Sequence, residues 1–212
     1  MISSINNNYH LANNCFNDIL KDRQSKKMNA KDYLATLTSE ELSIIQKEKC
    51  LAEKINISKL SEEGAENLLV AKGDYKKLVD LNNDGITEIG EGKSFIFPPP
   101  NAPDKVKDAW EEATANLSFK EKMLALSPFL VKQLQANLHR LPDGSCKALS
   151  PGDPGYRNAF GNTIQSYYSL INEIKYQLAN DPERAKPEKQ RYIKFELGVL
   201  DKFMENLDKL AV

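Results

Sequence analysis

Two apolar stripes near the end of the chain constrain its fold more than any other feature. The first stripe contains Phe160, Ile164, Tyr167, Ile171, Ile174 and Leu178, and the second contains Ile193, Leu197, Leu200, Met204 and Leu207. Both alternate spacings of four and three residues, which is typical of a helix packed against another helix. The segment 180–187 between them is short and polar, which suits an antiparallel connection. We predict a long C-terminal helical hairpin within 156–212, packed on the same domain, with both stripes in the core.

The preceding region, 29–141, also has mostly helical patterning. Thr38 with Glu41, and Ser118 with Glu121, have the spacing of capping boxes, so each pair predicts the start of a helix. Pro103 is suited to open another, and Pro128 predicts a kink or break in the helix that follows Ser118. Residues 1–28 are predicted to be a flexible arm, or at most a short helix around Phe16, Ile19 and Leu20. The Pro- and Gly-rich segment 141–155 is the strongest loop signal and the best candidate boundary.

Composition excludes several classes of function. The 212 residues carry 29 Lys and Arg against 30 Asp and Glu, well mixed along the chain, so no nucleic-acid patch is indicated. Segments long enough for a membrane span or a signal peptide are not predicted, which makes the cytoplasm the default, although secretion without a cleaved signal stays open. Three widely spaced cysteines indicate neither a zinc site nor a disulfide framework, and His10 and His139 belong to no catalytic set. We expect a protein that is not an enzyme.

One twelve-residue segment, 80–91, carries the clearest chemical signal. It reads Asp-Leu-Asn-Asn-Asp-Gly-Ile-Thr-Glu-Ile-Gly-Glu and fills every ligand position of the pattern D-x-[DN]-x-[DN]-G-x5-E. Oxygens at alternate positions let a tight loop surround a hard cation, and a glycine at the sixth position permits the sharp turn. The predicted metal ligands are Asp80, Asn82, Asp84, the backbone carbonyl of Ile86, Glu88 and Glu91. Magnesium is the expected competitor, and a solvated Asn/Asp/Gly turn is the alternative without a metal.

This segment resembles the calcium-binding loop of the EF-hand family, and the resemblance extends to the helix that should precede the loop. That entering helix is predicted over 61–79, although Gly73 lies within it. Downstream the pattern departs from the family, because Gly90, Gly92 and the run Pro98-Pro99-Pro100 disfavour an exiting helix. The resemblance implies one calcium ion bound at an atypical, single EF-hand-like site.

A second resemblance fits the same residues. The shorter calcium loops of integrin-like propeller repeats would close the site with Glu88 instead of Glu91, so both closures stay open. In place of the exiting helix, the Pro-rich connector 98–103 is expected to act as a stiff strut. Ser94–Phe97 is expected to pair as a short strand beside Gly85–Glu88.

The predicted fold is mainly α-helical, with one EF-hand-like calcium loop, a possible short two-stranded β contact and the C-terminal hairpin. The expected function is structural: calcium ties the entering helix to the connector. One alternative is a calcium-dependent interaction module that binds a protein partner, or a second copy, through the C-terminal helices. A second alternative is an accessory subunit of an enzyme, with a supporting calcium ion.

Overall fold

The computed structural model describes residues 15–183 and 186–211, and this part of the chain is mainly helical. The helices are α1 (15–25), α2 (Ala30–Ala35), α3 (Ser39–Glu48), α4 (Glu62–Leu68), α5 (Asp104–Thr114), α6 (Phe119–Ala136), α7 (Ile164–Ala179) and α8 (Pro187–Ala211). The strands are β1 (Thr87–Ile89), β2 (Gly92–Ser94), β3 (Leu138–Arg140) and β4 (Cys146–Ala148). The chain divides into two compact units. Unit 1 runs to Leu81 and includes Thr87–Ser94, and unit 2 comprises Asn82–Ile86 and Phe95–Val212.

Unit 1 packs its short helices around one apolar core. Its centre is formed by the completely buried side chains of Tyr33, Leu34, Ile45 and Leu68. Helix α1 buries Phe16 and Ile19 in this core, so the predicted short helix is present, whereas residues 1–14 of the predicted arm lie outside the described residues. The Tyr33 hydroxyl donates to the Ile19 carbonyl over 2.8 Å, which satisfies the one polar atom of that buried ring.

The predicted entering helix is shorter than expected. Helix α4 ends at Leu68, and the rest of the predicted span contains only a 3₁₀ turn at Tyr75–Lys77. Gly73 has φ +86°, a conformation outside the right-handed helical region. The side chain of Asn67 binds the backbone of Val79, so the chain turns back to α4 instead of extending it. The prediction of a continuous helix over 61–79 was therefore wrong.

Unit 2 is organised around aromatic rings. Phe97 stacks on Phe129 with centroids 3.7 Å apart, and Trp110, Phe160 and Phe203 meet it edge-on. Phe97 directly precedes the Pro-rich connector 98–103, and its side chain lies in the core. Such ring contacts stabilise a core beyond the area they bury.

Helices α7 and α8 form the predicted antiparallel hairpin. The Tyr168 hydroxyl donates to Asp208 over 2.6 Å, and the Lys175 ammonium donates to Asp201 over 2.5 Å. The contacts move towards the end of α7 as they move towards the start of α8, so the two helices are antiparallel. Several seam residues are buried, as expected for a core role, namely Tyr167, Ile171, Ile174, Leu200 and Leu207.

Helix α6 continues through Pro128, so of the predicted kink or break the break is absent. The Ser127 hydroxyl donates to the Leu124 carbonyl over 2.8 Å and replaces the hydrogen bond that proline cannot make. Three of its apolar side chains, Met123, Leu130 and Leu134, are exposed. Helical spacing identified the stripe correctly but could not indicate whether another part of this chain covers it.

Two small antiparallel sheets complete the described structure. In unit 1, β1 pairs with β2 in the register Thr87↔Ser94, Glu88↔Lys93 and Ile89↔Gly92. The predicted two-stranded contact is thus present, but its first strand begins two residues later than expected and its second strand begins two residues earlier. In unit 2, β3 and β4 form a hairpin around the turn at 141–145, within the region predicted as a loop. Among the described residues, no helix is long and apolar enough to cross a membrane.

Candidate calcium-binding loop

The segment Asn82–Ile86, in unit 2, winds as two successive side-chain-stabilised turns. Asn82 Oδ1 accepts from the Asp84 backbone N–H over 2.9 Å, and Asp84 Oδ1 accepts from the Ile86 N–H over 2.8 Å. Asn83 and Gly85 lie between these residues with φ of +55° and +81°. Asn and Gly are the residues that adopt this conformation most readily. The winding brings the alternate side chains of Asn82 and Asp84 together, and Asn82 Nδ2 donates to Asp84 Oδ2 over 3.2 Å.

Two side chains of unit 2 bind this winding, and a third packs closely against it. Gln133 Nε2 donates to the Asp84 carbonyl over 3.1 Å, and Asn101 Nδ2 donates to Asn83 Oδ1 over 3.1 Å. A Cβ at Gly85 would lie 2.7 Å from Asn158 Oδ1. Gly85 is therefore required by close packing as well as by its φ angle. The predicted ligand Asp84 is partly buried, and Asn82 is exposed.

The two ends of the loop, in unit 1, meet at one buried carboxylate that the sequence did not single out. Glu63 of α4 is 3% exposed. Its Oε2 accepts from the Leu81 N–H and its Oε1 accepts from the Glu88 N–H, each over 2.8 Å. One side chain thus fixes the backbone directly after Asp80 and at Glu88. An acidic residue near a helix start is usually solvated, whereas Glu63 is buried and bonded to the backbone.

Asn67, one turn further along α4, makes a second buried anchor. Its Nδ2 donates to the carbonyls of Val79 and Glu88 over 2.8 and 2.7 Å, and its Oδ1 accepts from the Val79 N–H over 2.9 Å. Asn67 is completely buried. Glu63 and Asn67 therefore act together, since residues four apart share one face of a helix. The available sequence signal was two polar residues at this spacing among the small residues Gly64 and Ala65.

Negative charge accumulates around Glu63. Burial raises the pKa of the Glu63 carboxyl above its ordinary value of 4.5, and the charges of Asp80 and Glu88 raise it further, against the lowering effect of the two backbone hydrogen bonds. Asp80 itself is only 3% exposed. A divalent cation beside such carboxylates would offset their mutual repulsion.

The two candidate closing residues have different surroundings in unit 1. Glu88 lies on β1, where its Oε1 is 3.3 Å from the Lys93 ammonium and its Oε2 accepts from the Ser61 hydroxyl. Glu91 occupies the exposed turn between β1 and β2 and is 3.8 Å from the Lys59 ammonium. Because a strand advances about 3.3 Å per residue, β1 carries position 91 away from Thr87 and places it at the far end of the hairpin.

The donor types fit calcium, since carboxylate, amide and backbone carbonyl oxygens are its usual ligands. Within the part of the chain that the structure describes, no three His, Cys, Asp or Glu side chains gather into a ready metal site. Glu88 and Glu91 instead form their contacts with lysines. Cation binding would therefore require at least the Glu88 side chain to rotate away from Lys93. Neither a family model, nor a curated protein, nor a solved structure matches this chain.

Proposed function

We propose that this protein binds one calcium ion in the segment 80–88, and that the ion has a structural role. The observation that carries the proposal is the pair of turns at Asn82–Ile86, in which Asn82 Oδ1 and Asp84 Oδ1 each accept a backbone N–H. Each of these oxygens has a second lone pair that can face a cation. The proposed ligands from this part are Asn82, Asp84 and the Ile86 carbonyl.

Asp80 and Glu88 are the proposed ligands from the two ends of the segment. Their positions along the chain are supported by Glu63 and Asn67, which bind the backbone at Val79, Leu81 and Glu88. Anchored ends reduce the conformational entropy that an ion must remove from the loop. Glu63 thus serves as a positioning residue, because its two oxygens hold the backbone N–H groups of Leu81 and Glu88 at the two ends of the segment.

Glu88 is the proposed closing ligand, in preference to Glu91. The β1–β2 hairpin supports this choice, since it replaces the exiting helix that would bring position 91 back to the loop. The missing exit helix also supports a structural role, because sensor EF-hands act by moving that helix. The alternative of an interaction through the C-terminal helices gains no support from the buried seam residues Tyr167, Ile171 and Leu200.

Calorimetric titration of calcium into chelator-treated protein tests the proposal, with magnesium titrated in parallel. The expected result is one site that is lost in Asp84→Asn and weakened at least tenfold in Glu88→Gln. Glu91→Gln is the matched control, because it removes an equal charge from the same hairpin and should bind calcium like the wild type. Thermal unfolding should shift upward with calcium in the wild type and in Glu91→Gln, less in Glu88→Gln, and not in Asp84→Asn.

The outcomes separate the parts of the proposal. Absence of any calcium heat or thermal shift at millimolar calcium would refute calcium binding, provided that circular dichroism shows a folded protein. Binding lost in Glu91→Gln but kept in Glu88→Gln would instead establish the twelve-residue closure. A change of association state on adding calcium, with little thermal shift, would favour a calcium-dependent interaction over a structural ion.

A further inference from the structure

Helix α6 carries an exposed apolar stripe that the proposed calcium site does not explain. Phe119, Met123, Leu130 and Leu134 follow one another at spacings of four, seven and four, so they share one face over about 22 Å of helix. Their exposed fractions are 81%, 50%, 39% and 60%. Val131 is also exposed on the same helix, and exposed Leu138 and Leu141 follow the helix closely in the chain. We call these seven residues the α6 stripe.

We propose that the α6 stripe is the interface of a symmetric dimer, in which α6 packs antiparallel against α6 of a second copy. The exposed apolar area of the α6 stripe is close to what a second copy of the chain would cover. The exposed parts of the seven side chains sum to roughly 600 Å² per copy, which is at the upper limit for monomeric proteins. It approaches the roughly 800 Å² that each partner contributes to a standard interface. A surface that pairs with itself about a twofold axis needs no other partner.

The distribution of charge selects the antiparallel orientation. Exposed lysines stand beside the stripe at its N-terminal end, at Lys120 and Lys122. The C-terminal half of the helix has one charged residue, Lys132, which is buried and donates to Glu173 over 2.6 Å. An antiparallel pair places the exposed lysines of one copy beside the uncharged half of the other. A parallel pair would bring like charges together at one end, which is unfavourable.

The antiparallel register follows from the spacing of the stripe. Phe119 of one copy faces Leu134 of the other, and Met123 faces Leu130. Each large side chain then meets another across the axis, in the manner of knobs into holes. The centre of this contact lies between Met123 and Leu130. At this point the Ser127 hydroxyl donates hydrogen bonds to the Leu124 carbonyl and to Glu196 of its own copy.

Sedimentation velocity over roughly 1–200 µM, the range in which modest interfaces assemble, measures the association state. The wild type is expected to shift from monomer to dimer across this range. Leu134→Glu should remain monomeric, because it places a charge in the apolar contact with Phe119 of the other copy. Tyr176→Glu is the matched control, since Tyr176 is 71% exposed on α7 and lies outside the stripe. It should dimerise like the wild type, and circular dichroism should show both variants folded.

Disulfide trapping tests the register. The exposed Cys15, Cys50 and Cys146 are first replaced by serine. A mixture of Met123→Cys and Leu130→Cys proteins should oxidise to a mixed dimer, whereas Met123→Cys alone should not, because its two copies would be about 10 Å apart along the helices. A wild type that stays monomeric at 200 µM, equal dissociation by Tyr176→Glu, or rapid oxidation of Met123→Cys alone would overturn the proposal. So would a monomer that binds anionic vesicles through the stripe.

Discussion

Replacing Asn67 by alanine should destabilise unit 1 more than any surface change. The substitution leaves three partly buried backbone groups without their partner, the Val79 N–H and the carbonyls of Val79 and Glu88. An unsatisfied buried group costs about 1–3 kcal/mol, and water entering the new space would restore part of this. We therefore expect a loss of about 3–5 kcal/mol, a large part of the roughly 5–15 kcal/mol that stabilises a typical domain.

Urea denaturation followed by far-ultraviolet circular dichroism measures this loss. Fluorescence of the single tryptophan, Trp110, reports on unit 2 and serves as a separate probe. Asn67→Asp has nearly the same size but cannot donate to the two carbonyls, so it should be at least as destabilised as the alanine variant. That result would attribute the effect to hydrogen bonds and exclude a cavity as its cause. Asn116→Ala, at an exposed position, should change stability by less than about 0.5 kcal/mol. A loss below about 1 kcal/mol in Asn67→Ala would refute the reasoning.

Three further predictions test other parts of the fold. Gly64→Ala should destabilise unit 1 by several kcal/mol in the same urea assay, because a Cβ there would lie 2.2 Å from the Gly90 carbonyl oxygen. Ser118→Ala removes the capping box of α6 and should cost about 1 kcal/mol, measured against exposed Ser39→Ala. Burial raises the pKa of Glu196 above 4.5, so its contribution to stability is present below pH 4.5 and is lost as pH rises through the folded pKa. Glu196→Gln should therefore gain stability over the wild type at pH 8 and little at pH 4, and an equal gain at both would contradict this.

Local signals in the sequence predicted much of the fold because each one depends on residues close together in the chain. The capping pairs at Thr38 and Ser118 are formed as expected, and Pro103 precedes α5. The α7–α8 hairpin followed from its two stripes. The periodicity of α6 looked the same, yet its stripe is exposed. Spacing reveals which residues share a face, whereas burial depends on whether another element reaches that face.

The candidate loop shows the same division between local and distant information. The turns at Asn82–Ile86 depend on Asn83, Asp84 and Gly85 themselves, so the twelve-residue pattern contained them. The anchors Glu63 and Asn67 are separated from the residues they bind by between 12 and 25 positions. Polar side chains are usually solvated, which is why both were missed. Only the three-dimensional path of the chain brings α4 to the two ends of the loop.

The protonation state of Glu63 links the stability of unit 1 to the negative charges of Asp80 and Glu88. An ionised carboxylate accepts the two backbone N–H groups more strongly than a protonated one, because protonation converts one oxygen into a hydroxyl that is a weaker acceptor. Asp80 and Glu88 work against this ionisation by raising the pKa of Glu63. A cation bound by Asp80 and Glu88 would cancel their effect and favour the form of Glu63 that holds both ends of the loop. A divalent ion bound at Asp80 and Glu88 would therefore stabilise the same arrangement of Glu63 that fixes the loop backbone.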